Sequence, residues 1–112
     1  MAELVHPKKE DFELYRILDA LADPIRLEFI RKIWSVEKCC CSSFSKPVAK
    51  STRSHHFKVL RESGLILATR NGTEFILTLR KKELDDRFPG LLDSVLSAEK
   101  SVRKSSSLKK PK

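Results

Sequence analysis

Apolar side chains recur at three- and four-residue steps through Phe12, Tyr15, Leu18, Leu21 and Ala22, with Glu10, Asp11, Glu13 and Arg16 on the other side. That spacing predicts an amphipathic helix. Asp23-Pro24 pairs a favourable N-cap with the residue preferred at the first helical position, and Ile25, Leu27, Phe29, Ile30, Ile33 and Trp34 continue as a second, mostly buried helix. From Val36 to Phe44 neither period is sustained, and Pro47 closes a segment with room for only a short helix. Phe57, Val59 and Leu60 then lie in a helical stretch from about Lys50 to Glu62, ended by Gly64 and carrying Lys50, Arg53, Lys58 and Arg61. Residues 65–70 and 73–79 alternate on either side of Asn71-Gly72, a strong two-residue hairpin signal. Pro89 opens a last helix through Leu91, Leu92, Val95, Leu96, Ala98 and Val102. Two helices, a short helix, a basic helix, a hairpin and a final helix make the order of a winged helix-turn-helix, mainly α with a β-hairpin wing.

The length of 112 residues suits one domain. The +8 net charge becomes informative once it is located: residues 1–37 carry −2, residues 38–82 carry +8, residues 83–99 carry −4 and residues 100–112 carry +6. A basic block inside one domain, over the helix and hairpin just described, is the sequence form of a phosphate-facing surface. Residues 1–100 are therefore read as the DNA-binding and dimerisation domain. Residues 101–112, with Ser105, Ser106, Ser107 and five basic residues, read as a disordered basic tail. No apolar run approaches the roughly 18 residues of a membrane span and the first ten residues lack a signal peptide's hydrophobic stretch, so a cytoplasmic protein with no membrane partner is expected. Neither a phosphate-binding glycine loop nor a carboxylate pair is present, which argues against an enzyme, and no cofactor is implied.

Two segments carry a family resemblance. Leu18-Asp19-Ala20-Leu21-Ala22-Asp23-Pro24-Ile25-Arg26-Leu27 is similar to a signature of the ArsR/SmtB repressors, and Ser54-His55-His56-Phe57-Lys58-Val59-Leu60-Arg61-Glu62-Ser63-Gly64-Leu65-Ile66 resembles their recognition-helix signature. The resemblance, over about residues 10–100, implies a homodimeric winged-helix repressor that leaves double-stranded operator DNA when an effector reaches a cysteine, histidine or carboxylate site. A major groove accepts a helix with its N-terminal residues nearest the base edges, which designates Lys50, Ser51, Thr52, Ser54 and His55. Ser54 and His55 also match family positions that face DNA. Arg53, where the family is usually aliphatic, is expected either to snorkel toward phosphate or to mark a slight rotation of the helix, and Lys58 adds to the basic face. Arg70, Asn71, Gly72 and Thr73 form the expected wing tip. Phe57 and Leu60 should face the core, with His56 beside them as a hydrogen-bonded structural histidine. Phe12, Tyr15, Leu18, Leu92, Val95 and Leu96 are the expected dimer surface.

The three cysteines are consecutive, so they cannot cross-link distant segments. Glu37, Cys39 and Cys41 match the Glu-x-Cys-x-Cys of arsenic-sensing members of the family, but the third thiolate those members place near Phe44 or Ser45 is absent. The zinc-type pattern is missing as well, because no histidine lies between Leu91 and Lys104. Neighbouring cysteines are held about 3.8 Å apart at Cα, below the usual disulfide range of roughly 4.4 to 6.8 Å, so a bond between them is strained and readily reduced. With Lys38 alongside to favour a thiolate, Cys40 and Cys41, or Cys39 and Cys40, are read as a peroxide-responsive pair, as in a redox-sensing branch of the family. A soft-metal site of Cys39, Cys40 and Cys41 that binds arsenite is the alternative, and an architectural DNA binder without an effector is another.

Overall fold

The structure is a computed structural model that describes residues 6–36, 38–40 and 49–109, with the side chains of 6–36, 49 and 51–101. After a 3-10 turn at Lys9–Asp11 come α1 (Leu14–Leu21), α2 (Pro24–Val36), β1 (Lys38–Cys40) and α3 (Lys50–Ser63). The hairpin strands β2 (Ile66–Asn71) and β3 (Glu74–Leu79) follow, and α4 (Lys81–Arg87) and α5 (Leu91–Lys109) close the chain.

The punctuation read from the sequence is used as expected. The Asp23 carboxylate caps α2, its Oδ2 accepting from the backbone N–H groups of Ile25 at 2.9 Å and Arg26 at 3.0 Å. At the other end of the motif, Gly64 takes φ 102°. Its N–H donates to the Arg61 carbonyl while that of Leu65 reaches back to Leu60 at 3.1 Å, the two bonds of a Schellman motif. Leu60 and Leu65 are both fully buried, so the motif also turns the chain from α3 into the wing across the core.

Two elements were not expected. β1 lies on the outer side of β3 to give the order β1-β3-β2, with Lys38 opposite Thr78, Cys39 opposite Leu77 and Cys40 opposite Ile76. Three residues are too few to show a period of two, which is why the sequence did not display it. α4 was hidden for a similar reason, since only Leu84 of its seven residues is buried. The short helix expected before the basic one falls largely at 41–48, outside the described residues. α5 continues past Val102 to Lys109, so over 101–109 the segment set apart as a tail is a helical extension.

The hairpin turn needs a correction. Asn71 pairs with Glu74 in the ladder, so the two turn residues are Gly72 and Thr73, one position later than Asn71-Gly72. Gly72 takes the required positive φ of 69° as the first turn residue. A one-residue slip would send the whole of β3 to the opposite face. The observed register keeps Leu77 in the core at 1% exposure and sets Arg70 opposite Phe75, its guanidinium 5.4 Å from the ring centre.

Ile17, Ile30, Ile33, Leu60, Leu65, Ile66 and Leu77 form the fully buried centre, so α1, α2, α3 and the sheet share one core. Arg80 ties the segment before α1 to it. This buried guanidinium donates to the Pro7 carbonyl at 2.7 Å and to both oxygens of Glu83, and lies 4.8 Å from the centre of the Phe12 ring. Arg87 bonds the Phe12 carbonyl at 3.1 Å, and His6 Nε2 accepts from the Ala68 N–H on β2 at 3.0 Å.

Candidate nucleic-acid interface

The faces of α3 follow from which side chains the core requires. Leu60 is fully buried, and Phe57 packs on Phe29 of α2 with ring centres 5.0 Å apart. Turning this face inward leaves Ser51, Thr52, Ser54, His55 and Lys58 exposed on the outer side, with Arg53 at an intermediate depth. The orphan N–H groups of the first turn add positive potential to that end of the helix. Lys50 begins α3, its side chain lying outside the described set. At the wing, Arg70, Asn71, Gly72 and Thr73 are all exposed. The residues expected to meet DNA thus occupy two exposed, positively charged features built on one core: hydroxyls, an imidazole and a lysine on the helix, and a guanidinium at the hairpin tip.

His56 is buried at 7% exposure, as its place beside Phe57 suggested. Its Nδ1 lies 3.2 Å from Arg26 Nη1 and 4.0 Å from Asp23 Oδ2. Burial holds its pKa below the ordinary imidazole value; Asp23 opposes this, while Arg26 and His55 act with it. The partner Arg26 was missed by sequence reading as a structural residue. The signal was available in Asp-Pro-x-Arg, which sets an arginine three positions after the cap where it can reach back toward the end of the preceding helix.

Part of the expected dimer surface is corrected. Phe12, Leu92 and Leu96 are buried within the chain itself at 2%, 2% and 8% exposure. Phe12 closes over Gly64, where an added Cβ would stand 2.5 Å from its ring, and Val95 is half-buried. Tyr15 and Leu18, joined by Leu14, remain exposed on α1. The cysteine readings are only partly reached: Cys39 and Cys40 are described as backbone in β1, and Cys41 lies outside the described residues. Among the described residues no group of three or more His, Cys, Asp or Glu is placed to hold a metal ion, and no helix is long and apolar enough to cross a membrane.

A helix pair whose second member is capped by Asp23, an exposed basic third helix and a three-stranded wing define a winged-helix DNA-binding protein. No family model matches the chain, but curated relatives and solved structures do. Over 83 residues it is 31% identical to an uncharacterized HTH-type transcriptional regulator, YceK, of Bacillus subtilis, covering 71% of this chain and 83% of that one. Over 78 residues it is 36% identical to the arsenical resistance operon repressor of Staphylococcus xylosus, covering 65% of this chain and 71% of the relative. An ArsR family transcriptional regulator superposes with a TM-score of 0.57 at 22% identity, over 81% of this chain and 96% of the other. The transcriptional repressor BigR from Xylella fastidiosa gives 0.54 at 23% identity, over 67% and 85%. The chain belongs to the ArsR family of winged-helix transcriptional repressors.

The exposed residues of α3 and the wing should separate by function. His55→Ala is expected to cost about 1–3 kcal/mol of binding to the operator and little on other DNA, whereas Arg70→Ala should weaken binding to all sequences alike. Titration of each variant against specific and scrambled duplexes checks this, and unchanged affinities for both would move the interface elsewhere.

Proposed function

We propose that the protein represses transcription as an operator-bound homodimer and is released when two neighbouring cysteines of the 39–41 triplet are oxidised to a disulfide. The observation that carries this reading is the pairing of Cys39 and Cys40, as backbone, with Leu77 and Ile76 of β3. A segment that carries two of the three cysteines is thereby part of the same sheet as the wing. In the reaction, one thiolate attacks peroxide, the O–O bond breaks and hydroxide leaves, giving a sulfenic acid. The neighbouring thiolate attacks that sulfur and displaces the oxygen as water, so two thiols and one peroxide yield one disulfide and two waters.

A second reading has its own support. One relative is named as an arsenical resistance operon repressor, and Glu37, Cys39 and Cys41 match an arsenic-sensing pattern. In that reading the three thiolates take a soft metal such as arsenite. A gel shift on upstream DNA with peroxide, then dithiothreitol, beside an arsenite titration separates the two. Peroxide release reversed by the thiol supports the redox reading, release by arsenite alone supports the metal site, and indifference to both leaves an architectural DNA binder.

The homodimer is supported by the apolar face of α1, where Leu14, Tyr15 and Leu18 are exposed at 45%, 68% and 45%. Sedimentation at micromolar concentration should give a species of twice the chain mass, and Leu18→Glu should shift it toward the monomer. A monomeric wild type would overturn the dimer.

A further inference from the structure

Arg26 joins three helices. Its Nε donates to the Ala20 carbonyl at 2.7 Å and its Nη2 to that of Asp19 at 3.3 Å, two acceptors near the end of α1, the second of which also accepts from the Ala22 N–H. Its Nη1 meets His56 Nδ1 in the second turn of α3. A guanidinium has donors only, so Nδ1 must be the acceptor, and His56 is neutral with its proton on Nε2. Asp23, the cap of α2, lies 4.0 Å from the same nitrogen. Phe29 meets the imidazole edge-on with ring centres 6.1 Å apart, and the His55 ring lies at 6.0 Å. The charged and titratable groups around His56 are thus Arg26 and Asp23 from α2 and His55 from its own helix. His55 and Ser54, immediately before His56, are exposed, so whatever fixes His56 fixes the angle at which they are offered.

We infer that Arg26 and His56 form a positioning couple for the recognition helix, and that protonation of His56 dissolves it, so that preference for operator over other DNA falls as the pH drops below neutrality. This rests on the reading of α3 as the recognition helix. A protonated imidazole presents two donors, and its Nδ1 can no longer accept from Arg26. Burial keeps the folded-state pKa below the ordinary 6.5. The neutral couple is therefore complete at pH 7.5 and is lost as the pH falls from about 6.5 through the depressed value. Operator preference then falls without a matching fall in binding to other DNA, a signature that simple loosening of the fold would not produce.

The test is fluorescence anisotropy of the full chain on an operator duplex, recovered by selection from a random pool, and on a scrambled duplex at constant ionic strength. The wild-type ratio of the two affinities should fall about tenfold between pH 7.5 and 5.5, equivalent to about 1.4 kcal/mol. His56→Asn puts an amide oxygen near the position of Nδ1 without a titrating group, and should hold the ratio level across that range. Arg26→Lys keeps the charge but not the planar fork, and should lower the ratio about tenfold at pH 7.5 with scrambled binding unchanged. A wild-type ratio constant with pH, or a His56→Asn slope equal to wild type, overturns the couple. Should Arg26→Lys fail to fold, as judged by circular dichroism, the other two profiles still decide. Loss of operator preference in His55→Ala with a pH-independent wild-type ratio would refute the couple alone; no loss in His55→Ala would refute the underlying reading of α3.

Discussion

Peroxide is expected to lower operator affinity roughly a hundredfold, by two subunits each losing about 1.5 kcal/mol. The extended backbone of β1 pairs Lys38, Cys39 and Cys40 with Thr78, Leu77 and Ile76. A ring closed between neighbouring cysteines cannot be accommodated in an extended ladder, because it requires a local turn. If Cys39 and Cys40 form it, β1 must part from β3; if Cys40 and Cys41 do, the distortion enters at the last ladder pair. Either way the strain reaches β3, whose other edge carries β2 and whose turn holds the wing tip. Cys40→Ser should bind operator equally before and after peroxide. Mass mapping of the oxidised wild type should show two hydrogens lost within the tryptic peptide that begins after Lys38, with no cross-link between subunits. Retained affinity after complete formation of that disulfide would overturn the mechanism.

Gly64→Ala is expected to cost about 2–4 kcal/mol of folding stability through two separable causes. The first is the backbone, since φ of 102° is a conformation L side chains rarely adopt. The second is space: the new Cβ would stand 2.5 Å from one ring carbon of Phe12 and 2.7 Å from another. Phe12 cannot simply withdraw, because Arg80 lies over its ring and Arg87 holds its carbonyl. Urea denaturation gives the total. Phe12→Leu placed behind Gly64→Ala should recover part of the steric share and none of the backbone share, and a Gly64→Ala protein as stable as wild type would show that the α3 end is not so constrained.

Legibility in the sequence followed the number of residues that carry each signal. α2 was readable because Asp23-Pro24 marks its start and six apolar positions continue it. The end of α3 was readable because Gly64 serves one geometry. The hairpin was recognised, but its turn was set one residue early: Asn71-Gly72 satisfies local turn chemistry, whereas the demand to bury Leu77 selects Gly72-Thr73. β1 and α4 are too short or too exposed to leave a period. The exposure of Ser51, Thr52, Ser54, His55 and Lys58, the positions proposed to face DNA, follows from the inward-facing Phe57 and Leu60, which are themselves visible in the pattern. The dimer surface was harder, because an apolar residue near a terminus serves a subunit's own core as readily as a partner; Phe12, Leu92 and Leu96 went to the core. Arg26 escaped notice because its three partners lie at sequence separations of 6, 7 and 30, and the longest is a contact only the fold creates.

The bond from Ala68 to His6 has a bearing on self-association. β2 is an outer strand of the sheet, and an outer strand offers backbone donors and acceptors to any extended chain that meets it. His6 occupies one of those donors from outside the ladder, and Arg80, through the Pro7 carbonyl, keeps the segment seated there. A variant trimmed to begin after Pro7 would leave the Ala68 N–H to solvent in the middle of a hairpin edge. The same few residues that fasten the segment before α1 thus also act as a guard against strand addition between copies.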